Sequence, residues 1–226
     1  MVCLCCITAF PQFDFNPMIG GGVFSARDIS GRPIIKKYDG EITGSPFLNE
    51  SWKQAILTLS KGKVIGPVMV KLNIENNELN YTDSAGKEFV ADEKVVQKIS
   101  YAALYTKDST RYVFKNGYPA IGQQNINFYY QVLTEGKVEL LAKKIKYIRV
   151  TKNDMSGETT KEFLDAATVL YVYAKRIMQE FHPYKSFILE VMRDKEQAIA
   201  AYMNENKINL KKNLDLVKLF NYYNSL

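Results

Sequence analysis

The stretch whose reading decides the fold runs from Trp52 to Ala91: WKQAILTLSKGKVIGPVMVKLNIENNELNYTDSAGKEFVA. Side chains alternate faces along a strand, and a hairpin turn fixes which residues sit opposite. With Lys61-Gly62 as a two-residue turn, Leu59 faces Val64 and Leu57 faces Gly66. With Asn76-Asn77 as the next, Ile74 faces Leu79 and Leu72 faces Tyr81, since asparagine tolerates the positive φ of such turns. A three-residue loop at Ser84-Ala85-Gly86 sets Tyr81 opposite Phe89. Each turn independently gathers the apolar residues, among them Leu57, Val64, Val68, Leu72, Leu79 and Phe89, on one face. Thr58, Lys71, Asn73 and Asn80 fall on the other. That agreement predicts a four-stranded antiparallel meander. Gly66-Pro67 predicts a bulge or bend, because proline removes a ladder donor.

Downstream, the pattern predicts a strand between Val95 and Thr106, after a turn at Asp92-Glu93-Lys94, and another over Thr110 to Lys115. Asn116 to Pro119 reads as a turn. A long hairpin follows from Asn125 to Val150. With Glu135-Gly136 as its turn, Val132 faces Glu139, Tyr130 faces Leu141 and Ile126 faces Ile145. One face then collects Ile126, Phe128, Tyr130, Val132, Leu141 and Tyr147. The other is partly apolar too, as an inner position in a sandwich or barrel requires. Thr151 to Thr160 reads as a loop. Residues 163–181 admit two readings, a pair of strands (Ala167 to Ala174, Ile177 to Phe181) or a single helix. After His182-Pro183 the period becomes helical. Phe187, Ile188, Val191 and Met192 form a stripe. Asp194 with Gln197 makes a capping-box pattern, ahead of Ala198, Ile199, Tyr202 and Met203. Asn213 can cap a last helix carrying Leu214, Leu216, Val217, Leu219, Phe220 and Tyr223.

Upstream, Val2 to Phe10 is a short apolar run, too short to span a membrane. It resembles the back half of a secretory signal without its basic start. All three cysteines lie in it: Cys3, Cys5 and Cys6. The body from Ile7 onward therefore has no disulfide, thiolate nucleophile or cysteine metal ligand. Gly20-Gly21-Gly22 follows no strand and lacks a P-loop Lys-Ser/Thr, which argues against a phosphate cradle. The organisation expected is a signal-like leader (1–12), a flexible segment ordered only where it touches the body (13–43), an antiparallel β domain (44–182) and docked C-terminal helices (183–226).

The excess of 30 Lys+Arg over 24 Asp+Glu leaves a net charge of +6. Its clusters, Lys143-Lys144-Lys146 and Lys207-Lys211-Lys212, read as solvated lysines rather than the concentrated stripe of a nucleic-acid binder. His182 is the only histidine, whereas a metal site needs three or four ligands. No Gly-x-Ser-x-Gly elbow is present, and Asp92-Glu93 reads as a solvated turn. The aromatic face Phe128, Tyr130, Tyr147 reads as core before ligand platform, and Trp52 as a packing residue.

Two places carry a resemblance: the lead-in Gly44-Ser45-Pro46-Phe47-Leu48-Asn49-Glu50, and the C-terminal run from Lys207 through Asp215-Leu216 to Tyr222-Tyr223-Asn224-Ser225-Leu226. With the hairpins between them, residues 40–226 resemble a group of uncharacterised exported proteins of Gram-negative bacteria. That resemblance implies a periplasmic or secreted location and no activity. The expectation is an α+β, mainly β fold: a sandwich-like or barrel-like antiparallel sheet of about nine or ten strands with two or three C-terminal helices. The expected function is that of an exported, non-enzymatic binding protein. Its partner would be a protein, glycan or envelope component, without cofactor, metal, transmembrane segment or sequence-specific nucleic acid. The alternatives are a hydrolase of an envelope or polymeric substrate and a polyanion-binding module. Catalytic and ligand-binding residues are not identifiable from the sequence.

Overall fold

The computed structural model describes residues 29–34, 42–102, 111–155 and 157–226. The leader 1–12 with its cysteines, the triple glycine and the end of the strand predicted to reach Thr106 lie outside them. The described chain is mainly β: one open antiparallel sheet, not a closed barrel, with three short helices at the C-terminus. Its eleven strands are ordered β1-β5-β4-β3-β2-β6-β7-β8-β9-β10-β11.

The meander comprises β2 (Lys53–Leu59), β3 (Val64–Asn73), β4 (Glu78–Thr82) and β5 (Glu88–Val90). Its registers correct two of the three predicted turns. Leu59 N–H donates to the Lys63 carbonyl at 2.8 Å, so the first loop has three residues, with Gly62 at φ +77°. Thr58 faces Val64 and Leu57 faces Ile65. This one-residue offset turns Val64 outward, 57% exposed. Gly66 and Pro67 then stand together against Ile56, and Ala55 regains Val68 as its partner. This is the predicted bulge. Gly66 sits at φ +141°, where an added Cβ would meet the Ala55 carbonyl oxygen at 2.8 Å. At the second turn Leu72, not Ile74, faces Leu79. The Asn73 side chain accepts the N–H groups of Glu75 (3.1 Å) and Asn76 (3.3 Å), building a longer loop that ends on Asn77 at φ +59°. A two-residue slip keeps every side chain on its face. Tyr81 faces Phe89 as predicted.

Beyond β2 come β6 (Val96–Ala102), β7 (Arg111–Lys115), β8 (Tyr130–Thr134), β9 (Val138–Lys152), β10 (Thr159–Ala174) and β11 (Ile177–Glu180). Residues 163–181 are thus two strands. At the other edge, β1 (Arg32–Pro33) pairs with β5, and Ile29 beside it is fully buried. The β8–β9 register departs from the predicted one. Val132 faces Leu141, Thr134 faces Leu140 and a bulge lies between. At the bulge Thr134 Oγ1 accepts the Leu140 N–H (3.1 Å), and a tertiary contact holds the turn beyond it. Asn224 accepts the Val138 N–H (3.1 Å) and donates to the carbonyls of Glu135 (3.2 Å) and Val138 (2.9 Å). Because β8 begins at Tyr130, Ile126 is a loop residue, 58% exposed.

The β2–β7 part of the sheet curls over one core, which includes Leu57, Val70, Tyr81, Ile99, Phe114 and Tyr129. β3 and β9 are five strands apart, on the order of 24 Å in a flat sheet. Yet Leu72 and Ala142 line the same small crevice. A second core lies under the helices α1 (Lys185–Val191), α2 (Glu196–Glu205) and α3 (Asn213–Ser225). There Val138, Leu140 and Val172 meet Ile188, Met192 and Phe220. Neither predicted cap forms. The N-caps of α2 and α3 are Lys195 and Lys212, with no side-chain cap bond. Asp194 is taken by the Tyr223 hydroxyl (2.7 Å), and Asp215 accepts the Asn209 N–H (3.1 Å). The apolar α3 buries Leu216, Leu219, Phe220 and Tyr223 but leaves Leu214 77% exposed.

Phe220 is fully buried between α3 and Phe181. Phe220→Ala is expected to cost about 3–5 kcal/mol, read as a lower urea midpoint with an unchanged slope. Removal of residues 213–226 is expected to abolish cooperative melting.

Candidate functional site

β9 and β10 pair from Val138 to Lys152. β8 accompanies β9 only at Leu140–Ala142, and β11 accompanies β10 only at Tyr171–Ala174. The remainder, residues 143–152 against 159–169, is a two-stranded ribbon extending about 33 Å past its neighbours. β-branched and aromatic residues in both strands favour it: Ile145, Tyr147, Ile148, Val150, Phe163, Val169. At the tip, Met155 N–H bonds Asn153 Oδ1 (2.9 Å) and Asn153 N–H bonds the Glu158 carbonyl (2.8 Å).

The ribbon's base is covered on both faces. Leu140 and Val172 lie under the helices. Leu141, Tyr171, Tyr130 and Tyr118 form a third cluster on the opposite face. There Tyr118 donates to Glu139 at 2.5 Å, and Lys115 bridges Glu139 at 3.3 Å while lying over the Tyr118 ring. Burial, and then the bond to Glu139, push the Tyr118 phenol far above its ordinary range. Burial does the same to Tyr130, whose buried hydroxyl finds no partner among the described residues.

Further out a strap secures the ribbon. Thr43 N–H donates to the Lys161 carbonyl (3.0 Å), and Phe163 N–H donates to the Thr43 carbonyl (2.9 Å). Lys146 Nζ reaches the carbonyls of Ser45 (2.8 Å) and Phe47 (3.0 Å), with Asp165 at 3.7 Å. The ribbon is nonetheless exposed along its length: Tyr147 is 46%, Val150 59% and Met155, at the tip, 99% exposed.

The lysines of β9 depart from the solvated reading. The Lys146 side chain is only 13% exposed. Lys144 donates to Thr168 Oγ1 at 3.1 Å. Lys143 lies over the Phe128 ring, and burial lowers its pKa. With the Gln124 amide turned so that its nitrogen donates to the Ile121 carbonyl, its oxygen accepts from Lys143 at 2.7 Å. Lys207, Lys211 and Lys212 are exposed. The predicted aromatic face divides: Phe128 and Tyr130 pack at 5.0 Å in the base, and Tyr147 stands apart on the ribbon. His182 is exposed, edge-on to Phe187 at 5.6 Å. Asp92 accepts the Lys94 N–H (2.8 Å) within its turn. Trp52 is half-buried under the Lys71 ammonium.

Among the described residues no group of three or more His, Cys, Asp or Glu is placed to hold a metal ion. No described helix is long and apolar enough to cross a membrane. The crevice between β3 and β9, lined by Leu72, Asn77, Phe128 and Lys144, has about 10 Å³ of space, room for one water. What sequence reasoning missed is the ribbon itself. Its signal was present as strand-forming residues on both sides of Asn153-Asp154 and Ser156-Gly157. Comparison with protein-family models, with curated proteins and with solved structures finds no match.

The tyrosines make the fold alkali-sensitive. Burial pushes Tyr81 and Tyr223 up to about 12, with Asp83 and Asp194 respectively adding to the shift. A phenol raised in the folded state stabilises fully below its unfolded pKa near 10, and the contribution is lost as pH rises through the folded value. Stability is therefore expected to fall between about pH 10 and pH 12. Absorbance at about 295 nm should show buried tyrosines ionising together with unfolding rather than before it.

Proposed function

We propose that this chain is an exported, non-enzymatic interaction protein whose binding element is the β9–β10 ribbon. The observation carrying this reading is the ribbon's design. It is held rigidly at its base by two cores and a strap, yet it presents Tyr147, Val150 and Met155 to solvent. Tyr147 and Val150 stand on opposite faces of β9, so the projecting element offers exposed apolar side chains on both faces and at its tip, which favours contact with another macromolecule. Export is supported by the confinement of all cysteines to positions 3, 5 and 6, within a short apolar run. The partner class is a protein, glycan or other envelope component.

The test shortens the ribbon. Residues 148–163 are replaced by Asn-Gly, which joins the paired residues Tyr147 and Leu164 by a two-residue turn. The full chain is expected in the extracytoplasmic fraction and to co-sediment with native envelope. The shortened chain, still melting cooperatively, is expected to stay in the supernatant. Equal retention of both chains would remove the ribbon as the binding element, and a purely cytoplasmic full chain would remove export.

A further inference from the structure

The hydrogen-bond pattern shows which edge of the ribbon is open. Because Lys161 and Phe163 bond outward to Thr43, the alternate residues Thr160, Glu162 and Leu164 bond inward, opposite Thr151, Arg149 and Tyr147. On β9, therefore, Lys144, Lys146, Ile148, Val150 and Lys152 turn their N–H and C=O groups outward. β8 leaves β9 at Ala142, and among the described residues no strand lies beside 144–152. This edge is about 30 Å long. Edges of that length are ordinarily guarded by lysine. Here two of the three lysines are diverted: Lys144 to Thr168 on β10, and Lys146 to the Ser45 and Phe47 carbonyls. The centre of the edge is Ile148, beside Val150 at 59% exposure.

We propose that this edge pairs with the same edge of a second copy, antiparallel about a two-fold axis at Ile148. The inference rests on the ribbon being the binding element and adds a second copy of the chain as the partner of its open edge. Charge selects the register. An axis at Ile148 uses the open edge end to end. It sets Lys146, through its aliphatic stem, opposite Val150 of the second copy. It sets Tyr147 opposite Arg149, a cation–aromatic contact made twice. An axis at Lys146 drives Val150 against Ala142, whose outer side β8 occupies, and one at Arg149 puts like charges directly opposite. An axis at Tyr147 drives Lys152 against Ala142, whose outer side β8 occupies. The Ile148 register does bring Lys144 opposite Lys152, but the Lys144 ammonium is drawn away onto Thr168. The interface is isologous. With one edge strand from each copy it belongs to the small, weak class, with Kd in the range of about 1–100 µM.

Sedimentation equilibrium on the full chain, with Cys3, Cys5 and Cys6 changed to Ser, is expected to show a monomer–dimer equilibrium below about 200 µM. Ile148→Pro removes an outward donor and leaves the intrachain ladder intact, as proline does on edge strands. It is expected to weaken the dimer at least about 10-fold without lowering the melting temperature. In the same cysteine-free background, Ile148→Cys should oxidise to a linked dimer. Val150→Cys should not, because its counterpart lies about 13 Å away along the edge. A chain monomeric throughout that range, or equal linking at both positions, overturns the proposal. Protection of the outward amides of Lys144, Lys146, Ile148, Val150 and Lys152 from exchange in a monomer also overturns it, because a segment of the same chain then fills the edge. A monomer that still loses envelope retention on ribbon shortening refutes the dimer alone. A monomer whose retention is unchanged refutes both readings.

Discussion

The continuous ladder between β9 and β10 is the constraint on which the rest of the structure depends. Fifteen partner pairs join the two strands, interrupted only between Asp165 and Ala167. The C-terminal helices rest on one face of this pair and the tyrosine cluster on the other. β8 with the meander beyond it hangs from one edge, and β11 from the other. A sheet buried on both faces reads as apolar on both faces. Val138, Leu140 and Val172 on one side, and Leu141 and Tyr171 on the other, meet that requirement. Where the covering layers end, the same ladder continues as the projecting ribbon.

Two polar side chains close the remaining gaps. Lys146 gathers the carbonyls of Ser45 and Phe47, and Asn224 satisfies main-chain groups at both sides of the β8–β9 turn. A hydrogen bond to a charged group is worth roughly 1.5–3 kcal/mol net, and a neutral one about 1. Their larger effect is geometric. Phe47 bridges to Asn73, so Lys146 ties the β3 end of the curled meander to the ribbon. Asn224 ties the last turn of α3 to the hairpin beneath it. The curl, the helix layer and the ribbon are thereby held in one arrangement.

The diversion of Lys144 and Lys146 links this scaffold to the proposed association. Charged side chains along an open edge normally oppose strand addition. Once their ammonium groups serve internal acceptors, the edge beyond them presents Ile148, Val150 and peptide groups that no strand among the described residues pairs. The interactions that stabilise the monomer's shape are the same ones that leave this edge available.

Sequence alone determined the mainly antiparallel β class, most of the apolar face of the meander, the Gly66-Pro67 bulge and a C-terminus of two or three helices. Each follows from local alternation, turn chemistry or helical period. It left 163–181 open between helix and strand, because a run such as Val169-Leu170-Tyr171-Val172-Tyr173 is apolar at both periods and only its pairing with β9 decides. The one-residue slip at Val64 and the longer loops around Asn76 and Gly136 were hidden for a similar reason: loop length depends on which side chain captures the free peptide groups. Asn73 does so locally, whereas Asn224 does so from the other end of the fold. Asp194 satisfies the pattern of a cap in sequence and in space answers Tyr223. Of the candidate site, the residues of the ribbon were visible, but its projection was not. Whether a strand is flanked or bare is a property of its neighbours' lengths and registers, and those are set only where β8 begins at Tyr130 and β11 ends at Glu180.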